Sequence, residues 1–185
     1  GFVAAELQAQ AEQGPDSQVV LVGIDLDDAK LRAIEDEVDK QARALPRVDV
    51  VRQGIDKSVT MLVKTREEAM AWSNRYAPEH LILHTTEPEA LVPLVQHAGS
   101  VFVGAWSPES CGDYASGTNH TLPTYGFARQ YGGVSTSTFQ KYITAQTLEA
   151  DGLRQLGPHV VALAECEGLE AHANAVRVRL QQLAP

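Results

Sequence analysis

Apolar and polar positions recur along the chain with two different periods, and the switches between them predict its elements. Ser17–Gly23 is a short β-branched run that suits a buried strand. Over Asp27–Leu45 the apolar residues fall at Ala29, Leu31, Ile34, Val38, Ala42 and Leu45, which is helical spacing. Val48–Arg52 and Val59–Val63 are further strand candidates. Thr65-Arg66-Glu67-Glu68 opens a helix running to Tyr76, with a hydroxyl and a carboxylate spaced to satisfy free backbone N–H groups reciprocally. His80–His84 alternates like a strand. Thr86–His97 reads as a helix that tolerates Pro88 in its first turn, and Ser100–Val103 reads as a strand again. The repeated β-α-β order predicts an α/β fold, a mostly parallel sheet with flanking helices that resembles an incomplete Rossmann-like arrangement.

From Gly104 to about Gly133 the periodicity stops, and Gly, Pro, Ser, Thr and Asn dominate. A segment this long without periodicity is more often functional than a plain connector. After Ser135 the pattern turns helical. Leu148–Ala164 and Leu169–Leu183 form two segments, the first interrupted by Gly157-Pro158. Two domains follow: an α/β domain over 1–134 and a small C-terminal helical unit over 135–185.

Composition narrows the function classes. A net charge of −9, with Lys and Arg scattered among acids, lacks the concentrated basic face that nucleic acid requires. The apolar runs are too short to cross a bilayer, and no basic segment followed by an apolar one opens the chain. The two cysteines, Cys111 and Cys166, form neither a zinc knuckle nor a disulfide framework, so a reducing, cytoplasmic home is expected. The chain begins within helical periodicity, without a start methionine, and reads as part of a longer protein.

Two places concentrate chemistry. Tyr76-Ala77-Pro78-Glu79-His80-Leu81 sets a carboxylate beside an imidazole between a helix and a strand, a plausible general base pair. Neighbours on a strand point to opposite faces, so only an irregular turn at Pro78 could aim both at one site. Alone, the pair reads as a surface Glu and a half-buried His. The loop from Trp106 to Thr124 gathers Glu, Cys, Asp, His and hydroxyls among glycines. Composition leaves Asp113 evenly balanced between metal ligand and turn cap. Cys111 invites a thiohemiacetal, but no neighbour in sequence lowers its pKa, and it reads as a small packed residue. Cys166, His84, His97 and His159 read as ordinary structural positions.

The run WSPESCGDYASGTNHTLPTYG, together with YAPEHL, AEQGPDSQ (Ala11–Gln18) and EGLEAHANAVRVRL (Glu167–Leu180), closely resembles the histidinol dehydrogenase family. The likeness extends over nearly the whole chain. It implies a zinc enzyme that oxidises L-histidinol to L-histidine in two NAD-dependent steps through an aldehyde. Glu79 and His80 match the acid–base pair, His80 taking the alcohol proton and Glu79 activating the hydrating water. Asp113, His172 and Gln10 match zinc ligands, and Gln13 stands where the family usually places a histidine. Glu167 matches a substrate-holding carboxylate, and His120 is implied to touch substrate; the metal ligands and His80 contact it too. The resemblance further implies a homodimer whose C-terminal units complete each other's sites.

Two departures remain. Gln13 offers an amide where imidazole is expected, which weakens a zinc site. No glycine-rich strand-to-helix turn is present, so the main NAD site is expected in a preceding half that this chain lacks. The alternatives are a truncated, non-catalytic metal- or imidazole-binding relative, and a structural oligomerisation protein. The second explains the paired helices but not the signature loop.

Overall fold

The computed structural model describes residues 1–183, which divide into two compact units, Gly1–Phe139 and the segment from Gln140 onward. The first unit starts with helix α1 (Phe2–Ala11) and continues through β1 (Val20–Ile24), α2 (Asp28–Ala42), α3 (Val48–Ile55), β2 (Val59–Val63) and α4 (Arg66–Tyr76). It then runs through β3 (His80–Leu83), a 3₁₀ stretch (Pro88–Leu94), β4 (Ser100–Val103) and α5 (Glu109–Tyr114). The second unit is a pair of helices, α6 (Ala150–Cys166) and α7 (Glu170–Gln182).

The strands are parallel, as their order predicts, but they form two separate pairs, β1 with β2 and β3 with β4. Val20 lies opposite Val59, and His80 opposite Ser100. Each pair has its own apolar core. Ala11, Val19 and Val51 close one, with Leu7, Ala42, Leu45 and Ile55 against them; Met70, Leu83 and Leu91 close the other. The capping box at Thr65 and Glu68 forms as its sequence predicts and starts α4.

Three elements differ from their sequence reading. Val48–Arg52 reads as a strand because it is rich in valine, yet it begins helix α3. Val48, Val51 and Ile55 recur at helical spacing, and fully buried Val51 packs beneath α1, so packing overrides the β preference of the residues. The stretch after Thr86 is a 3₁₀ run rather than a regular helix. Pro93 lies within it and has no N–H to donate to an α-helical ladder. By contrast, Gly157-Pro158 does not interrupt α6, which is continuous to Cys166. Gly157 is buried against α7, and a methyl there would meet Leu180 Cδ1 at 3.0 Å. Close packing of the helical pair offsets the hydrogen bond lost at Pro158.

α1 and α3 approach closely in the same way. A Cβ at Gly54 would stand 2.9 Å from the Ala11 carbonyl oxygen, and a backbone atom cannot swing aside as a side chain can. Gly54→Ala should therefore lower stability by about 1–2 kcal/mol, overpacking of about 1–3 kcal/mol outweighing alanine's helix preference of about 0.5–1 kcal/mol. Urea unfolding checks this; an unchanged midpoint would mean that the two helices separate freely.

Candidate active site

The site begins where α4 stops. Ala77, buried and left-handed at φ 55°, ends the helix by donating its N–H to Ser73 O at 2.8 Å. A non-glycine residue in this region is strained, and such strain persists only where surrounding structure enforces it. Pro78 then leads into β3. The Glu79 carbonyl accepts from Ser100 N–H at 2.9 Å, and Gly99 permits this approach: a Cβ there would lie 2.6 Å from that same oxygen. The chain is thus turned sharply just before His80, which starts the strand.

The opposing wall is α5, a helix of one and a half turns inside the segment that reads as structureless. Pro108 precedes it in an extended conformation, and Glu109 and Asp113 stand one turn apart on the same face. Gly112 lets the helix settle onto β4, since a Cβ there would sit 2.5 Å from Phe102 Cε1. The Phe102 ring also stands against the His80 ring, with centroids 5.9 Å apart.

The result is a buried acidic cluster around an imidazole. His80 Nε2 lies 3.5 Å from Glu109 Oε1 and 3.9 Å from Asp113 Oδ1. One donor atom from each of the three lies within 4.8 Å of the others. Glu109 is only 2% exposed. Its backbone N–H donates to Glu6 Oε2 at 3.2 Å, tying α5 to α1, the helix that carries Gln10. Gln10 Nε2, His80 Nε2 and Glu109 Oε1 are all buried without a hydrogen-bond partner. Among the described residues, no lysine or arginine pairs with Glu109 or Asp113.

Burial controls the protonation of the cluster. It pushes the Glu109 carboxyl up to about 7, with a hydrogen bond and charge from Asp113 adding to the rise. Burial, and then the Asp113 charge, raise Glu79. Burial lowers His80, against the pull of Asp113. Asp113 acts on both Glu79 and His80, so the turn at Ala77-Pro78 brings both within reach of one carboxylate.

Of the residues singled out by sequence, the structure gathers Glu79, His80 and Asp113, with Gln10 beside them. Gln13 is exposed past the end of α1, and His120 is exposed in the loop. Glu167 and His172 belong to the second unit, where both are exposed at the turn end of the helical pair. Glu109 is the member that sequence reading misses. Its signal was the Pro-Glu helix start with an acid one turn later.

Three comparisons place the chain among known proteins. The family model described as histidinol dehydrogenase matches residues 1–180. The chain is 58% identical over 182 residues to a histidine biosynthesis trifunctional protein of Neurospora crassa, covering 98% of this chain and 21% of that protein. It is 58% identical over 181 residues to a chloroplastic histidinol dehydrogenase of Oryza sativa subsp. japonica, covering 38% of it. The solved histidinol dehydrogenase of Elizabethkingia anophelis superposes with a TM-score of 0.95 at 47% identity, over 98% of this chain and 42% of that one. The chain therefore spans well under half the length of these relatives.

Raised proton affinity in Glu109 has a sign. From its ordinary value of 4.5 up to about 7 the folded state holds a proton that the unfolded state has released. The contribution is thus full below the lower value and lost as pH rises through the upper one. In metal-free protein, Glu109→Gln should flatten the fall in melting temperature across this window. Parallel slopes for the two proteins would show that the carboxyl titrates as in an open chain.

Proposed function

The chain belongs to the histidinol dehydrogenase family, and we propose that it forms the metal- and substrate-binding part of an enzyme oxidising L-histidinol to L-histidine with two NAD, at the end of histidine biosynthesis. The observation that carries this reading is the convergence of His80, Glu109 and Asp113, with Glu79 and Gln10 beside them, in a family-matching chain.

The chemistry follows from the environments. Burial keeps His80 neutral, and a neutral imidazole can accept the alcohol proton. Glu79, with its proton affinity raised, is a stronger base than an exposed carboxylate and suits the water that hydrates the aldehyde. Burial of the His80 side chain strengthens every electrostatic contact it makes.

The surroundings fit a divalent cation: oxygen and nitrogen atoms converge, with no lysine or arginine among the described residues to compensate the carboxylates. Asp113 and Gln10 would hold zinc, with Gln13 and a second copy's His172 completing the shell in a homodimer. When bound, zinc would fix the substrate's imidazole and amine near His80, a proximity effect, while NAD would accept hydride. Glu167 and His120 would contact the substrate. Only Asp113 belongs to both this set and the trio gathered in the structure.

We infer that NAD would be held mainly by parts of the longer protein outside the matched segment. No helix among the described residues is long and apolar enough to cross a membrane. A cytoplasmic location is proposed, with a plastid as the competing compartment given the rice relative's name. Gln13 favours the second reading, a non-catalytic relative that retained metal or imidazole binding.

Measuring NAD reduction by the full-length protein with histidinol separates the two readings. His80→Ala should lower kcat by about 10²–10⁴-fold, the range for a lost general base; full activity in that variant would remove His80 from the chemistry. Gln13→His should tighten zinc binding in a chelator competition, because imidazole is the better ligand. Equal affinity would place position 13 outside the metal's reach.

A further inference from the structure

Glu109 is the one member of the buried cluster to which the proposed reaction gives no task. Its Oε1 and the Nε2 of His80 are both buried, both without a partner, and 3.5 Å apart. Asp113, the other carboxylate near that nitrogen, is farther at 3.9 Å. A buried donor or acceptor left unmade costs about 1–3 kcal/mol, so closing this gap by a few tenths of an ångström satisfies two groups at once. Catalytic hydrogen bonds are often long in empty sites and tighten on loading.

We propose that Glu109 is the positioning residue of His80: once ionised, its carboxylate accepts a hydrogen bond from Nε2–H, fixes that tautomer, and leaves Nδ1 as the nitrogen that takes the substrate proton. The inference rests on reading His80 as the base. It needs a rigid carboxyl, and the fold supplies one. Glu109 opens α5, its N–H is tied to Glu6 at 3.2 Å, and α5 is seated on β4 through Gly112. The Phe102 ring that receives α5 also stands against the imidazole, so one element limits both partners. A carboxylate at one ring nitrogen settles which nitrogen carries hydrogen, and this makes the other a defined base. Asp113 suits this task less well, because the proposed cation draws on its oxygens.

The test uses the full-length enzyme with ¹⁵N-labelled histidine at mildly alkaline pH, where Glu109 is ionised, comparing the parent with Glu109→Leu and Glu109→Asp. The parent should show His80 as a single Nε2–H tautomer. Glu109→Leu should show a mixture, with kcat lower by about 10²-fold and with zinc content and the KM for histidinol unchanged. Glu109→Asp should recover part of both losses. A purely structural role would not move the tautomer. An Nδ1–H ring in the parent overturns the proposal, and this readout stands even if Glu109→Leu does not fold. An unaltered tautomer in Glu109→Leu overturns it as well. Loss of zinc in proportion to activity also overturns it, by moving Glu109 into the metal's shell. The tautomer is read without turnover, so an ordered ring in a protein whose His80→Ala variant stays fully active supports the contact and sinks only the base reading.

Discussion

Helix α5 carries two carboxylates, and both reach the imidazole only because the helix lies flat against strand β4. That approach depends on the missing side chain at Gly112, where any Cβ would collide with Phe102 at 2.5 Å. Backing the helix away by even a side chain's width would open the distances of 3.5 and 3.9 Å that define the cluster. Positional tolerances in active sites are of the same small order. The geometry of the clustered groups is therefore set by a steric constraint made by residues with no chemistry of their own.

Packing also creates the electrostatics. Burying carboxylates without a basic partner is unfavourable, and proteins usually avoid it or neutralise the group. Here Glu109 and Glu79 are pushed toward the neutral form while His80 is kept from charging. A site poised this way gains from any cation that enters, because the cation supplies the charge balance that the side chains lack. The same arrangement costs stability when the cation is absent. Strain at Ala77 belongs to the same trade, since a left-handed alanine is tolerated where it aims the following dipeptide.

Much of this was legible in the sequence, and the failures have physical causes. The capping box at Thr65, the parallel strands and the helical pair all follow from local periodicity and local chemistry. Helix α3 was obscured because valine-rich composition speaks for strands, whereas the contact of Val51 with α1 decides the outcome. Helix α5 was hidden because its residues are small and polar, so no apolar stripe marks it. Glu79 and His80 stand out as a pair, and Pro78 points to the irregular turn that their convergence needs, but no residue type announces that the left-handed position is Ala77. The Pro-Glu start of α5 hints at Glu109, but the burial that gives this residue meaning belongs to the folded chain alone.

The tie between Glu6 and Glu109 joins residues 103 positions apart. Contacts of such separation are entropically late, since the intervening chain must be ordered before they are rewarded. During synthesis, Glu79 and His80 leave the ribosome well before α5 can close over them. The acidic wall beside His80 thus comes into being only as the unit closes. Until Glu6 and Glu109 meet, nothing local holds α5 against the imidazole, so the cluster and the closed unit take shape together.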